Sequence, residues 1–225
     1  MSSDDERPVT AASAPARGPA RTSERGAATR GAILEAARHI FVTSGFADAG
    51  VTDVVARAGA SVGSLYHHFS GKADLYLTLF EEFQERQTQR TRQAVQDARA
   101  EGEADPIRLF VAGARAYLDG CLAERELSAL FLRGDGPPGF EVIMRDRLRQ
   151  WTRRNAALFE GDEGALVVVL TGALAAVVSE VSLSEDADAS RALAEEVLII
   201  VGAISRPAVQ AAPARPEERT IPASG

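Results

Sequence analysis

The sequence has little cysteine, histidine or lysine, and these shortages exclude several classes of site. Cys121 is the only cysteine among 225 residues, so neither a disulfide framework nor a cysteine-based zinc cluster is expected. Two of the three histidines, His67 and His68, are adjacent. Neighbouring residues on a helix point about 100° apart, so this pair is not a chelating pair. We therefore expect no metal and no cofactor.

Long hydrophobic runs are also missing. The longest stretch without a charged residue, 164–179, has 16 residues, whereas a membrane span needs roughly 18 or more. It also contains Thr171, Gly172 and Ser179, which favours a buried helix. The first residues are polar and acidic, so we expect no secretory signal and a cytoplasmic protein without membrane contact.

Sequence patterns of common enzymes are absent as well. The chain has no nucleophile elbow, no phosphate-binding glycine loop with a following Lys-Ser/Thr, and no credible pair of catalytic carboxylates. Strand-like alternation and repeats of 20–50 residues are not apparent. We expect an all-α protein that is not an enzyme.

Charge is distributed unevenly along the chain. The net charge is −7, yet residues 21–72 carry six cations against four acids, whereas residues 73–225 carry 17 arginines against 25 acids. Lys72 is the only lysine. Because local charge governs phosphate binding, the acidic total does not exclude a nucleic-acid partner for the N-terminal part.

Helical periodicity and turn residues divide the chain into segments. Residues 1–25 and 206–225 have almost no large apolar side chains and are predicted to be disordered tails. Arg17, Arg21 and Arg25 make the first tail either a solvated segment or a basic arm along DNA. The predicted helices span residues 29–44, 52–58, 62–69, 72–99, 106–121, 124–132, 140–159, 162–183 and 187–204.

Residues 52–69 have the pattern of a helix-turn-helix. Thr52 and Ser61 are placed to cap the two short helices, and Gly59 fits the left-handed position between them. Val54, Val55 and Ala58 form one apolar face, and Val62, Leu65 and Phe69 form the other. The second helix of such a motif enters the major groove of DNA.

The same residues resemble the TetR family of bacterial transcriptional regulators over about residues 28–80. The resemblance rests on a first helix that includes residues 33–41 and on the turn Ser44-Gly45-Phe46 that follows it. It also rests on a motif made of Ser61, Gly63, Leu65, Tyr66, His68, Phe69, Lys72, Asp74 and Leu75. It implies a three-helix DNA-binding domain at 26–75 and a helical effector-binding and dimerisation domain at 76–205. The residues expected on DNA are Thr52, Ser61, Val62, Ser64, Tyr66, His67 and Lys72.

The resemblance also implies a small-molecule pocket among the later helices. Candidate lining residues are Phe110, Tyr117, Cys121, Leu127, Phe131, Trp151 and Leu174, each of which is equally compatible with plain core. Such a pocket predicts a mostly apolar effector. Arg115, Arg133 and Arg147 are alternative partners for an acidic one. The polar stretch 84–99 is predicted to be an exposed connecting helix.

The last two helices are apolar on more than one face, which indicates that a second subunit covers one of them. We therefore expect a homodimer formed through helices 162–183 and 187–204. The function implied is a repressor released from its DNA operator by an effector. Two alternatives stay open: a dimeric DNA-binding protein without an effector, and a ligand-binding enzyme built on the same fold.

Overall fold

A computed structural model describes residues 19–159 and 163–204 of the chain, and within those ranges it contains nine α-helices and no strand. The helices are α1 (Pro19–Asp48), α2 (Val51–Ala58), α3 (Val62–His68), α4 (Lys72–Ala100), α5 (Pro106–Ala123), α6 (Arg125–Leu132), α7 (Phe140–Ala156), α8 (Gly164–Leu183) and α9 (Ala187–Gly202). The predicted all-α class is confirmed.

The first helix is longer than the sequence predicted. It begins at Pro19 instead of near residue 29, so the expectation of disorder up to residue 25 is wrong for the part from 19 onwards. Residues 1–18, including Arg17, and the predicted tail at 206–225 lie outside the described residues. Within α1, Gly45 has φ +77°, a value that suits glycine and breaks the helix before its final short turn.

Helices α1, α2 and α3 form a compact unit around a small apolar core. Ile33, Phe41, Val54 and Leu65 are almost fully buried in it. Helix α4 starts in this unit, where Leu75 and Tyr76 are buried, and continues into the second half of the protein along α5. One long helix therefore belongs to both halves.

Aromatic side chains join the two halves. Tyr76 of α4 lies edge-on to Phe41, Phe46, Phe131 and Phe140, with ring centroids 5.1–5.6 Å apart. Its hydroxyl donates to the carbonyl oxygen of Leu130 at 3.3 Å. Burial raises the pKa of the Tyr76 phenol, so it remains a neutral donor. Edge-to-face pairs of this kind each contribute about 0.5–1.5 kcal/mol beyond burial.

An ion-pair cluster holds α4 against the junction of α5 and α6. The Glu124 carboxylate accepts from Arg86 at 2.5 Å and from Arg90 at 2.7 Å. Burial alone would raise the pKa of Glu124, but the hydrogen bonds and charges of the two arginines lower it. This cluster fixes the middle of α4, the helix shared by both halves.

Helix α8 is packed on one side and open on the other. Val167, Leu170, Leu174 and Val181 are buried against the rest of the protein. In the described ranges α8 is the one helix with the length and composition of a membrane span, and 44% of its most apolar window is buried. This partial burial against other helices fits the predicted core helix.

Candidate nucleic-acid interface and effector cleft

Helix α3 presents exposed side chains on the surface of the first three helices. Ser61 is its N-cap, with the hydroxyl oxygen accepting from the backbone N–H of Ser64 at 3.0 Å. Leu65 is fully buried and fixes the orientation of α3. Val62 and Tyr66, four residues apart and so on one helical face, are 44% and 56% exposed. The predicted cap at Ser61 is confirmed.

The turn before α3 also follows the sequence prediction, whereas the start of α2 does not. Gly59 adopts φ +61° and ψ +29° at the end of α2, the left-handed conformation expected there. Thr52, however, is not the N-cap of α2. That position is Gly50, which makes no side-chain cap, and Thr52 lies exposed in the first turn. Glycine tolerates the same extended cap geometry, so the hydroxyl at Thr52 was misleading.

Lys72 opens α4, as predicted, but its ammonium already has partners. The Nζ atom donates to the carbonyl oxygen of Ala47 at 2.9 Å and lies 4.6 Å from the centre of the Phe46 ring. Lys72 is half-buried. An ammonium group has three donors, so one backbone bond leaves others for a phosphate oxygen.

The turn after Gly45 binds a residue from the other half of the protein. The Asp135 carboxylate accepts from the backbone N–H of Phe46 at 2.6 Å and from that of Ala47 at 3.2 Å. A Cβ at residue 45 would lie 2.4 Å from Asp135 Oδ2, so only glycine permits this approach. We call the Gly45–Ala47 turn with Asp135 the interdomain clamp.

A cleft of about 720 Å³ lies between α4 and α7, with Tyr117 of α5 and two residues of α8, Ala175 and Val178, also in its wall. Tyr117 packs on Trp151, with ring centroids 4.4 Å apart. The other apolar lining residues are Val95, Leu132, Met144, Leu148 and Leu158. Five arginines also line the cleft: Arg92, Arg99, Arg145, Arg147 and Arg154.

The cleft and the clamp are adjacent along the chain. Leu132 and Met144 line the cleft, and the loop 133–139 that carries Asp135 runs between their helices. Helix α4 also lines the cleft, from Gln84 onwards, and Gln84 lies about three helical turns after Lys72. Two connections therefore run from the cleft to the first three helices: α4, which is covalent, and the clamp, which is made of hydrogen bonds.

Comparison with known proteins identifies the N-terminal unit. A family profile described as "Bacterial regulatory proteins, tetR family" matches residues 33–79, from the middle of α1 into α4. The match includes α2 and α3 whole. Residues 33–79 are therefore similar to the DNA-binding unit of TetR-family regulators.

The named relatives that the chain is similar to are transcriptional regulators. It is 39% identical over 66 residues to the HTH-type transcriptional activator FasR of Mycolicibacterium smegmatis, covering 29% of this chain and 30% of that protein. It is 33% identical over 87 residues to the HTH-type transcriptional regulator TtgR of Pseudomonas putida, covering 39% and 40%. The chain thus matches less than half the length of these two curated relatives.

A solved structure extends the likeness to most of the chain. The crystal structure of a TetR-family transcriptional regulator from Pectobacterium atrosepticum is 27% identical, with a TM-score of 0.55, and the match covers 82% of this chain and 95% of that one. The absence of enzymatic function predicted from the sequence agrees with these TetR-family relatives.

The structure brings only part of the predicted effector pocket together. Tyr117 and Trp151 line the cleft. The other candidates do not: Phe110, Cys121, Leu127, Phe131 and Leu174 are at most 4% exposed and belong to the core. Burial raises the pKa of the Cys121 thiol to about 12, as expected for a thiol in the core.

Most of the polar residues that line the cleft were not predicted from the sequence. Arg147 does line the cleft, but Arg115 forms an ion pair with Glu195, and Arg133 is exposed away from the lining. The polar stretch 84–99 supplies Gln84, Thr88, Thr91, Arg92, Gln96 and Arg99 to the wall. Its i, i+4, i+7 spacing was the available signal, since these residues share one helical face.

Proposed function

We propose that the chain is a homodimeric repressor of transcription in the cytoplasm, which binds a double-stranded DNA operator and is released by a small-molecule effector. The observation that carries the DNA-binding part is α3. Its N-terminus is capped, Leu65 anchors it, and Val62, Tyr66 and His67 face solvent. An exposed valine and tyrosine on one face of a short, capped helix suit contact with a major groove.

The residues divide into two roles on the DNA. Ser61, Val62 and Ser64 lie at the start of α3 and are proposed to approach base edges, the valine by contact with a thymine methyl group. The residues proposed to contact the phosphate backbone are Thr52, Tyr66, His67 and Lys72. Phosphate contacts set register and affinity, whereas base contacts set sequence preference.

The outer faces of α8 and α9 support the homodimer. Val168 and Val169 of α8 are each 60% exposed, and Ile199 and Ile200 of α9 are 68% and 65% exposed. Four large aliphatic side chains on two adjacent helices form an apolar surface of the kind found in subunit interfaces. A symmetric dimer would present two α3 helices to two half-sites.

The cleft supports the effector, and its position supports coupling to DNA. An effector that prefers one spacing of the two α3 helices changes operator affinity by its differential binding energy. We propose that α4 and the interdomain clamp carry this change, because both connect the cleft region with the first three helices.

The alternative is a dimeric DNA-binding protein without an effector. A cleft lined by both aromatic and charged residues favours the regulated protein, because a domain serving only to dimerise needs no such concavity. FasR is named an activator, so the sign of regulation is a separate question. A reporter gene fused to the bound promoter, with and without the regulator gene, answers it.

The two proposed roles on DNA predict two kinds of variant. Lys72→Met should weaken binding to all sequences about equally and should reduce the salt slope by about one, because one phosphate contact is lost. Val62→Asn should instead change which sequences are preferred, by about 1–3 kcal/mol at the contacted base pair. Fluorescence anisotropy titrations against matched and mismatched duplexes over a range of salt concentrations measure both.

Lys72→Arg is the control, since it keeps the charge. Thermal unfolding of each variant separates lost phosphate contact from the lost bond to Ala47. If Lys72→Met left the salt slope unchanged, the role of Lys72 would be confined to the contact with Ala47 and Phe46, and the assignment to DNA would be withdrawn.

A further inference from the structure

The cleft has an unusual charge for its surroundings. Residues 73–225 are acidic overall, with 17 arginines against 25 acids, yet five of those arginines and no aspartate or glutamate line the cleft. Nearly all cations of this chain are arginines, so the presence of arginine in the cleft does not by itself indicate a ligand site. The concentration of one charge sign in an otherwise acidic domain is the informative feature.

The arginines that form ion pairs lie outside the cleft. They are Arg30, Arg38, Arg86, Arg90, Arg108, Arg115, Arg149 and Arg191, and none of them lines the cleft. Arg154 donates to the Thr88 hydroxyl oxygen at 3.2 Å, and Arg147 lies 5.9 Å from the Phe80 ring. Both contacts leave most guanidinium donors available.

Three of these cations lie close enough to act on one another. Burial lowers the pKa of the Arg154 guanidinium, and the charges of Arg147 and Arg92 lower it further, although Tyr117 and Glu85 act in the opposite direction. Like charges held close together repel one another, and solvent at the exposed Arg92 and Arg154 screens part of that repulsion. An anion bound among them removes that repulsion and gains charge-assisted hydrogen bonds.

The rest of the wall is apolar. Tyr117 and Trp151 stack, and Met144, Leu148 and Val178 complete an apolar surface beside the arginines. Thr91 adds a second observation: its hydroxyl oxygen is buried and has no hydrogen-bond partner in the described ranges, although Thr91 lines the cleft. A buried hydroxyl of this kind is normally hydrogen-bonded, to the protein, to ordered water or to a ligand in the site it lines.

We infer that the cleft binds an organic anion with an apolar body, its acidic group held by Arg147, Arg154 and Arg92 and its body lying against Trp151 and Tyr117. This inference rests on the proposed function, because it names the chemical class of the effector. It revises the mostly apolar effector that the sequence suggested. Carboxylate and phosphate groups share the required chemistry, since a guanidinium binds either in a bidentate fashion.

A matched pair of fluorescent probes tests the inference. Anilinonaphthalene sulfonate carries one anionic group, and phenylnaphthylamine has the same ring system without it. The purified full-length dimer should bind the sulfonate at least about tenfold more tightly, a difference of about 1.4 kcal/mol. In the double variant Arg147→Gln/Arg154→Gln that preference should fall to about twofold or less, while phenylnaphthylamine binding stays unchanged.

Arg153→Gln is the matched control, because Arg153 is exposed on the same helix and does not line the cleft. It should keep the preference for the sulfonate. Displacement of the bound probe by decanoate and by decyl phosphate, with decanol as the neutral competitor, identifies which acidic group the cleft prefers. Equal affinity for the two probes, or a preference unaffected by the double variant, would overturn the inference.

Operator binding is measured in the same samples, so the two claims fail separately. If the sulfonate binds through the arginines and leaves operator affinity unchanged, the ligand class stands and the effector role is lost. If operator affinity responds equally to decanol and decanoate, the effector role stands and the inference that the ligand is an anion is wrong.

Discussion

Ile200→Glu is expected to convert the protein into a folded monomer that has lost its operator affinity. Ile200 is 65% exposed in the single chain, so a carboxylate there costs the protomer almost nothing. In the proposed dimer the same carboxylate would be buried without a partner, which costs about 3–5 kcal/mol for each copy. Because both subunits carry the change, the dimer dissociation constant should rise at least about a thousandfold.

Operator affinity should fall when the dimer dissociates, because two half-sites are bound tightly only when two α3 helices are linked in one dimer. Sedimentation velocity gives the association state, and circular dichroism shows that the helices remain. Val142→Glu is the control: Val142 is 48% exposed and lies on α7, which is not one of the two proposed interface helices. An Ile200→Glu protein that sediments as an intact dimer would place the interface elsewhere.

Leu174 illustrates why the position of the charge matters. It lies on α8 but is only 4% exposed, because it faces the protomer core. A charge at Leu174 would therefore test folding rather than association. From the sequence alone these two faces of α8 could not be separated, since both are aliphatic.

Asp135→Ala is expected to disconnect the cleft from the DNA-binding helices. The change leaves the backbone N–H groups of Phe46 and Ala47 without their carboxylate acceptor and removes the hydrogen-bonded connection between the halves. Operator affinity without ligand should change little. The effect of a saturating ligand on that affinity, usually about 5–150-fold in coupled proteins, should shrink towards onefold.

The measurement is operator affinity with and without anilinonaphthalene sulfonate, for the original protein and the variant. Arg133→Ala is the control, because Arg133 is exposed in the same loop and makes no bond to the turn. Gly45→Ala should reproduce the effect of Asp135→Ala, since its Cβ would displace the carboxylate. Undiminished coupling in both variants would exclude the interdomain clamp as a route of transmission.

Much of the fold was predictable because local signals agree with it. Gly59, Pro106 and the Gly-Pro segment 134–139 mark helix ends, and the apolar spacing of α2 to α9 fixes most boundaries within a few residues. The start of α1 was missed because residues 19–28 have no large apolar side chain, so periodicity gives no signal there. The α2 cap was missed because Gly50 stands two residues before the more conspicuous Thr52.

The site was predictable in its DNA-facing part and only partly in its cleft. The cap at Ser61 and the exposure of Tyr66 follow from the local pattern of α3. In the second half an apolar residue such as Phe131 gives the same periodic signal whether it fills the core or lines a cavity. Arg92 and Arg154 look like ordinary solvated arginines until the packing of α4 and α7 places them on one cleft.

Selection from random double-stranded DNA by the purified protein tests the central claim most directly. The account predicts enrichment of one sequence made of two inverted half-sites, bound by a single dimer, with the enriched bases altered by Val62→Asn. The absence of any enriched sequence, or an enriched sequence that Val62→Asn leaves unchanged, would contradict the assignment of α3 as the element that reads DNA.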